Sequence, residues 1–195
     1  MKIAVLAVQG AFAEHIERVR TLGADCMELR QRADLEQDFD GLILPGGEST
    51  VQGKLLHDLR MLEPLKDRIA QGLPVFGTCA GLILLAEEIC NEEGHVYFGT
   101  LPVRVRRNAY GRQLGSFHTV ETVAGIGSVP MTFIRAPYIE SARPGVEILA
   151  SVDDNIVAVR YGNQIGTAFH PELDADDRMH GMFLDLCKKQ GISGR

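Results

Sequence analysis

No tryptophan occurs among the 195 residues, cysteine is limited to four, and no apolar run approaches the roughly 18 residues that cross a bilayer. Each shortage removes a class of protein. The opening MKIAVLAVQGAFAEH carries one Lys and a short apolar stretch that Gln9 and Gly10 end. Glu14 and His15 stand where a cleavage region would lie, so the stretch reads as a first strand and not as a signal peptide. Cys26, Cys79, Cys90 and Cys187 are scattered without a CxxC pair and match no common zinc spacing. Without a secretory signal a disulfide framework is not expected. Positive charge is also scarce: 20 Lys and Arg against 26 Asp and Glu leave a net charge of −6. That balance argues against a nucleic-acid or anionic-membrane surface, and the small cluster Arg104, Arg106 and Arg107 does not outweigh it. The expectation is a cytoplasmic protein with no nucleic-acid or membrane partner, no metal and no cofactor.

What is present is an alternation of strand and helix signals. KIAVLAV (2–8) is a continuous apolar run suited to a strand covered on both faces. AFAEHIERVRTLG comes next with Phe12, Ile16, Val19 and Leu22 at helical spacing, and Gly23 can close that helix. CMEL (26–29), FDGLILP (39–45) and LPVFGT (73–78) are further strands, separated by the helical stretches LLHDLRML and EPLKDRIAQG. GLILLAEEIC reads as a helix. This order indicates an α/β fold with a largely parallel central sheet. The second half is β-rich, and IVAVRYGNQIGTAF has the form of a hairpin with Gly162-Asn163 at its tip. A last helix places Met179, Met182, Phe183 and Leu186 on one face. No repeat, low-complexity segment or linker divides the chain, so residues 1–195 are read as one domain.

Gly77-Thr78-Cys79-Ala80-Gly81 lies where a buried strand turns into a helix. G-x-nucleophile-x-G at such a junction is the pattern of a nucleophile elbow, in which small residues allow a tight turn and close packing of helix on strand. The alternative is a buried structural Cys79 with glycines needed only for packing. A thiol nucleophile needs a base, and the base needs an orienting group. His15, His57 and His180 fall inside predicted helices beside polar residues and read as solvated; His95 comes after Gly94 in a turn, and His118 lies on a strand. His170 instead ends the strand GTAF and is succeeded by Pro171 and Glu172, so FHPE sets a His and a Glu two residues apart at a strand end. Cys79, His170 and Glu172 form the expected triad. In LILPGGEST (42–50), Gly46 and Gly47 let backbone N–H groups approach a ligand, so Gly47 with the Ala80 N–H could form an oxyanion hole. A nucleotide loop is the rival for GGEST, but no G-x-x-x-x-G-K-[ST] is present.

With these residues the chain resembles the class I, triad-type glutamine amidotransferases, and among them the glutaminase subunits of pyridoxal 5′-phosphate synthases. The resemblance rests on LAVQGAFAEH (6–15), LPGGEST (44–50), GTCAGLILLA (77–86), RNAYGRQ (107–113), FIRAP (133–137) and FHPEL (169–173), which together cover essentially the whole chain. It implies a three-layer, flavodoxin-like α/β amidotransferase fold. The implied reaction hydrolyses L-glutamine to L-glutamate and ammonia through a thioester on Cys79. It further implies glutamine contacts at Gly46, Gly47, Glu48, Arg107, Ile134 and Arg135. The implied partner is a separate (β/α)8 synthase subunit, in a hetero-oligomeric complex, which receives the ammonia. Three positions depart from the family pattern: Val51 where Thr is expected, Asp174 where Thr or Ser is expected, and His118 where an acidic residue is expected. The nearest rivals are another amidotransferase subunit, such as that of imidazole glycerol phosphate synthase, and a catalytically dead scaffold of the same fold.

Overall fold

The computed structural model describes residues 1–90, 96–107 and 115–193. The His95 turn and residues 108–113 of RNAYGRQ lie outside them. Five strands, β1 (Lys2–Leu6), β2 (Asp25–Leu29), β3 (Gly41–Leu44), β4 (Val75–Thr78) and β12 (Gln164–Thr167), pair in the order β2-β1-β3-β4-β12, all parallel. β1, β3 and β4 are buried along nearly their whole length, as continuous apolar runs require when both faces are covered.

Beyond β12 the sheet changes sense. β11 (Asn155–Tyr161), β9 (Tyr138–Ala142) and β6 (Leu101–Arg106) continue it antiparallel, β5 (Ala86–Ile89) closes the far edge, and β10 (Glu147–Val152) pairs with β11. β7 (Ser116–Val123) and β8 (Gly127–Ile134) form a separate antiparallel pair. The expected hairpin is present: Tyr161 pairs with Gln164 across Gly162-Asn163, and Gly162 has φ 54°.

Helices cover both faces of the parallel half. Alternation along β4 sends Phe76 one way, against His180 and Phe183 of α5 (Arg178–Ser193) and edge-on to His15 of α1 (Phe12–Thr21). Gly77 faces the other way, against Gly81 and Leu85 of α4 (Ala80–Leu85). α2 (Ser49–Asp58) packs against α4 and α3 (Leu62–Ala70) against α2. These are the three layers that the resemblance implied. No helix among the described residues is long and apolar enough to cross a membrane.

Two expectations need correction. GLILLAEEIC is not one helix: α4 ends at Leu85, and Ala86–Ile89 is strand β5. The local sequence favours helix, but pairing with β6 outweighs that weak preference, with Glu88 meeting Arg104 and Glu87 meeting Arg143 on either side. His15 and His180 are not solvated, since both are 0 % exposed; only His57 of the three is exposed. Cys90 and Cys187 are buried as expected and Cys26 is half-buried.

Candidate active site

β4 ends at Thr78, α4 begins at Ala80, and Cys79 alone makes the turn, with φ 48° and ψ −98°. That backbone conformation is disfavoured for a residue with a Cβ and costs about 1–3 kcal/mol. It is held by the Cys79 N–H donating to Thr167 O at 2.7 Å and by Cys79 O accepting from Ile83 N–H at 3.2 Å. The flanking glycines leave no room for side chains. A Cβ on Gly77 would meet Gly81 C and O at 2.7 Å, and one on Gly81 would run into the Leu44 carbonyl.

β12 lies beside β4 with Thr167 level with Thr78, so the residues after each strand emerge together. His170 is reached three residues beyond Thr167, and its N–H donates to Thr132 O of β8 at 2.8 Å. Pro171–Leu173 then forms a 3-10 turn. The turn brings the Glu172 carboxylate back to its neighbour: His170 Nδ1 lies 2.7 Å from Glu172 Oε1, with both residues buried. Cys79 lines the same cleft as this ring. Burial works against a charge on His170, but the hydrogen bonds with Cys79 and Glu172 outweigh it and hold the imidazole up at about 10. Glu172 is held below its ordinary value; burial opposes this, and the neighbouring His15 and His170 overcome it.

The glycine loop comes after β3. Gly46 packs on the back of the His170 ring, where a Cβ would lie 2.7 Å from Nδ1. Its carbonyl accepts from Ala11 N–H at 3.0 Å, which turns the Gly47 N–H away from the 9–11 loop. Gln52, wholly buried on α2, donates to Gln9 O at 2.9 Å and Pro45 O at 3.2 Å, and Gln9 Oε1 accepts from Glu48 N–H at 2.9 Å. The two loops are thereby stitched into one rim.

These segments enclose a cleft of about 280 Å³ lined by Gly47, Glu48, Cys79, Arg107, Ile134, Arg135 and His170, together with Gln9, Ser49 and Ile83. Arg107 pairs with Glu48 at 3.0 Å, and Arg135 takes a left-handed φ of 43° just past the end of β8. Of the expected residues, Gly46, Ala80 and Glu172 are not in the lining: Gly46 and Glu172 stand behind it, against His170, and Ala80 opens α4 directly after Cys79. Ser49, Gln9 and Ile83 are the lining residues to which sequence reasoning gave no binding role; the Ser49 hydroxyl is buried and unpartnered. The clue for Ser49 was its place in GGEST, directly after the expected contacts. Among the described residues no cluster of three or more His, Cys, Asp and Glu could hold a metal ion. An acid–base pair beside a thiol in a small polar cleft suits acyl transfer from a small charged substrate.

Two of the departures prove to be one feature. His118 Nε2 lies 3.4 Å from Asp174 Oδ1, which also accepts from Thr132 Oγ1 at 3.0 Å. No structural reason for Val51, which is exposed, is apparent.

Known proteins resemble this chain along its length. Residues 5–189 match the SNO glutamine amidotransferase family. The pyridoxal 5′-phosphate synthase subunit PdxT of Desulfitobacterium hafniense (strain Y51) is 65% identical over 185 residues, 95% of this chain and 92% of that protein. The subunit of the same name from Streptococcus pneumoniae (strain ATCC 700669 / Spain 23F-1) is 55% identical over 194 residues, 97% of this chain and all of that protein. A crystal structure of a glutamine amidotransferase superposes with a TM-score of 0.91 at 43% identity, covering 95% of this chain and 98% of that one. A glutamine amidotransferase from Thermotoga maritima, 16% identical with a TM-score of 0.64, shares the fold.

Proposed function

Because the chain belongs to the SNO glutamine amidotransferase family, we propose that it is the glutaminase subunit of a pyridoxal 5′-phosphate synthase, hydrolysing L-glutamine to L-glutamate and ammonia. The observation that carries the catalytic assignment is the 2.7 Å contact of His170 with Glu172 on a ring that shares its cleft with Cys79.

With its proton already held on His170 Nε2, the nitrogen that Glu172 leaves free, Cys79 Sγ attacks the side-chain carboxamide carbon of glutamine. The oxygen of the tetrahedral intermediate takes hydrogen bonds from Gly47 N–H and Ala80 N–H. As the C–N bond breaks, His170 returns the proton to the departing ammonia, leaving a thioester. Water then attacks the thioester with His170 taking its proton, and glutamate leaves as the sulfur departs as thiolate beside the protonated His170. Glu172 holds the imidazole in the tautomer with Nδ1–H, which both half-reactions need. Glu48, Arg107 and Arg135 meet the ammonium and carboxylate of the free amino acid, because charged ends are recognised by opposite charges. Ammonia passes to a synthase barrel subunit. Docking of that subunit near the 9–11 loop controls the Gly46–Gly47 peptide through the bond to Ala11, so the enzyme idles until it is partnered.

The test is glutamate release with and without the synthase subunit of a close relative, with Cys79→Ala as control. Strong activation by the barrel, abolished in the mutant, is the expected outcome. Equal rates with and without it refute the partner dependence, and the absence of Cys79-dependent glutamate under both conditions refutes the glutaminase assignment.

A further inference from the structure

The triad leaves one oxygen of Glu172 unaccounted for. Oε1 serves His170, whereas Oε2 is buried and has no hydrogen-bond partner at ordinary distance. A buried carboxylate oxygen without a donor is costly. His15 Nε2 lies 3.4 Å from it and 3.1 Å from Thr78 Oγ1. On the far side of the same ring, His15 Nδ1 lies 2.9 Å from His180 Nε2. Both histidines are wholly buried between α1, α5 and β4, against the Phe76 ring. Neither has a place in the mechanism above.

The distances select one arrangement of protons. Suppose His15 carried its proton on Nδ1 and gave it to His180. The lone pair on His15 Nε2 would then face the Glu172 carboxylate, and the remaining N–H of His180, on Nδ1, would be a buried donor with no acceptor. Suppose instead that His180 Nε2–H donates to His15 Nδ1. His15 Nε2–H is then directed at Glu172 Oε2 and Thr78 Oγ1, and His180 Nδ1 is left as a bare acceptor, the lesser penalty. A doubly protonated His15 fails for the same reason as the first case. Burial also keeps both histidines below their ordinary value and therefore neutral; Glu172 and Glu14 oppose this at His15, while His170 adds to it there, and His15 and Arg18 add to it at His180.

We propose that His180 and His15 form a buried relay behind the triad, in which His180 fixes the His15 tautomer and His15 Nε2–H anchors the second oxygen of Glu172, making both of them positioning residues for His170. The donor chain runs from His180 to His15 to Glu172, which in turn accepts from His170 Nδ1–H. No group on it touches substrate, so removing a link acts on turnover and not on glutamine binding.

The inference rests on the glutaminase reading, and the experiment separates the two. The parent enzyme is assayed with the synthase subunit beside His15→Leu, His15→Gln and His180→Phe, recording kcat and KM for glutamine. His15→Leu should lose about 10–100-fold in kcat, the usual effect of removing an outer partner of a functional group, with KM within about two-fold. His15→Gln, whose amide N–H can reach Glu172, should recover most of that loss. His180→Phe keeps an aromatic ring beside Phe76 and Phe183 but removes the N–H, and it should lower kcat in the same direction. A parent without Cys79-dependent activity overturns the glutaminase reading and this inference with it. An active parent with His15→Leu at parental kcat, or with His15→Gln no better than His15→Leu, overturns the relay alone. His180→Phe at full kcat overturns the tautomer argument whatever the fate of the His15 variants.

Discussion

Replacing Gly81 by alanine sets two effects of opposite sign against each other. In a helix the change is favourable by about 1 kcal/mol, because alanine restricts the unfolded chain and glycine does not. Here, however, the new Cβ would penetrate the Leu44 carbonyl oxygen and lie 2.8 Å from Leu44 C and 2.9 Å from its Cβ. Carbon atoms pack at about 3.5–4.0 Å, so α4 would have to withdraw from β3 by something near an ångström. The obstacle is backbone in a central strand, not the end of a flexible side chain. Overpacking of this kind costs about 1–3 kcal/mol, occasionally more, and it outweighs the propensity gain at all but the low end of that range. At about 2–4 °C per kcal/mol for a chain of this size, the expected fall in Tm is about 2–8 °C. Moving α4 also moves Cys79, whose N–H is pinned to Thr167, so activity should fall further than stability; an ångström of misplacement costs on the order of 100-fold in rate. Thermal unfolding by circular dichroism and glutamate release with the synthase subunit would be measured together. A Tm at or above the parent's would refute the reading of Gly81 as a contact glycine.

Gly46→Ala should leave the fold largely intact but press on the His170 ring, lowering kcat by on the order of 100-fold; steady-state kinetics within about three-fold of the parent would contradict it. Stability should fall on both sides of near-neutral pH. His15 and His180 lie below 6.5 in the fold, so their contribution is present above pH 6.5 and is lost as pH falls, because the unfolded chain then binds protons that the native state refuses. His170 is raised from 6.5 to about 10, so its contribution is fully present below pH 6.5 and is lost as pH rises through about 10. Denaturant unfolding across about pH 5–10 reads both limbs, and His170→Asn should flatten the alkaline one.

The proposed triad could be picked out in the sequence because each of its parts carries a local signature. Gly77 and Gly81 around Cys79 mark a turn that only small neighbours permit, and FHPE keeps His170 and Glu172 two residues apart. Their convergence is a matter of topology: β4 and β12 are parallel neighbours, so the residues just past the end of each strand arrive at one edge of the sheet. The two errors have a common cause. GLILLAEEIC has helical composition throughout, yet the Glu87 and Glu88 partners, Arg143 and Arg104, lie on segments far away in the chain. His15 and His180 were misjudged because Glu14, Glu17 and Arg178 beside them in sequence are polar, while burial is decided by partners 165 residues apart. A histidine on the inner face of an amphipathic helix is silent in sequence until its partner is located.

The same dependence on distant partners explains why one thiol of four suits nucleophilic work. Cys26 is half-buried, and burial does not distinguish the other three, for Cys79, Cys90 and Cys187 are 6 %, 5 % and 2 % exposed. What differs is the charge each sulfur faces. Burial raises the Cys187 thiol to about 12 and Asp40 adds to it; burial raises Cys90 too, reinforced by its hydrogen bond to Glu140. Both sulfurs face carboxylates, which disfavour the reactive thiolate. Cys79 faces an imidazole that holds its proton to about 10, and that imidazole is itself held by a carboxylate whose other oxygen is turned towards a second, neutral histidine. The elbow aims the sulfur, but the sign of the field around it is set by residues that α1, β12 and α5 bring from opposite ends of the chain.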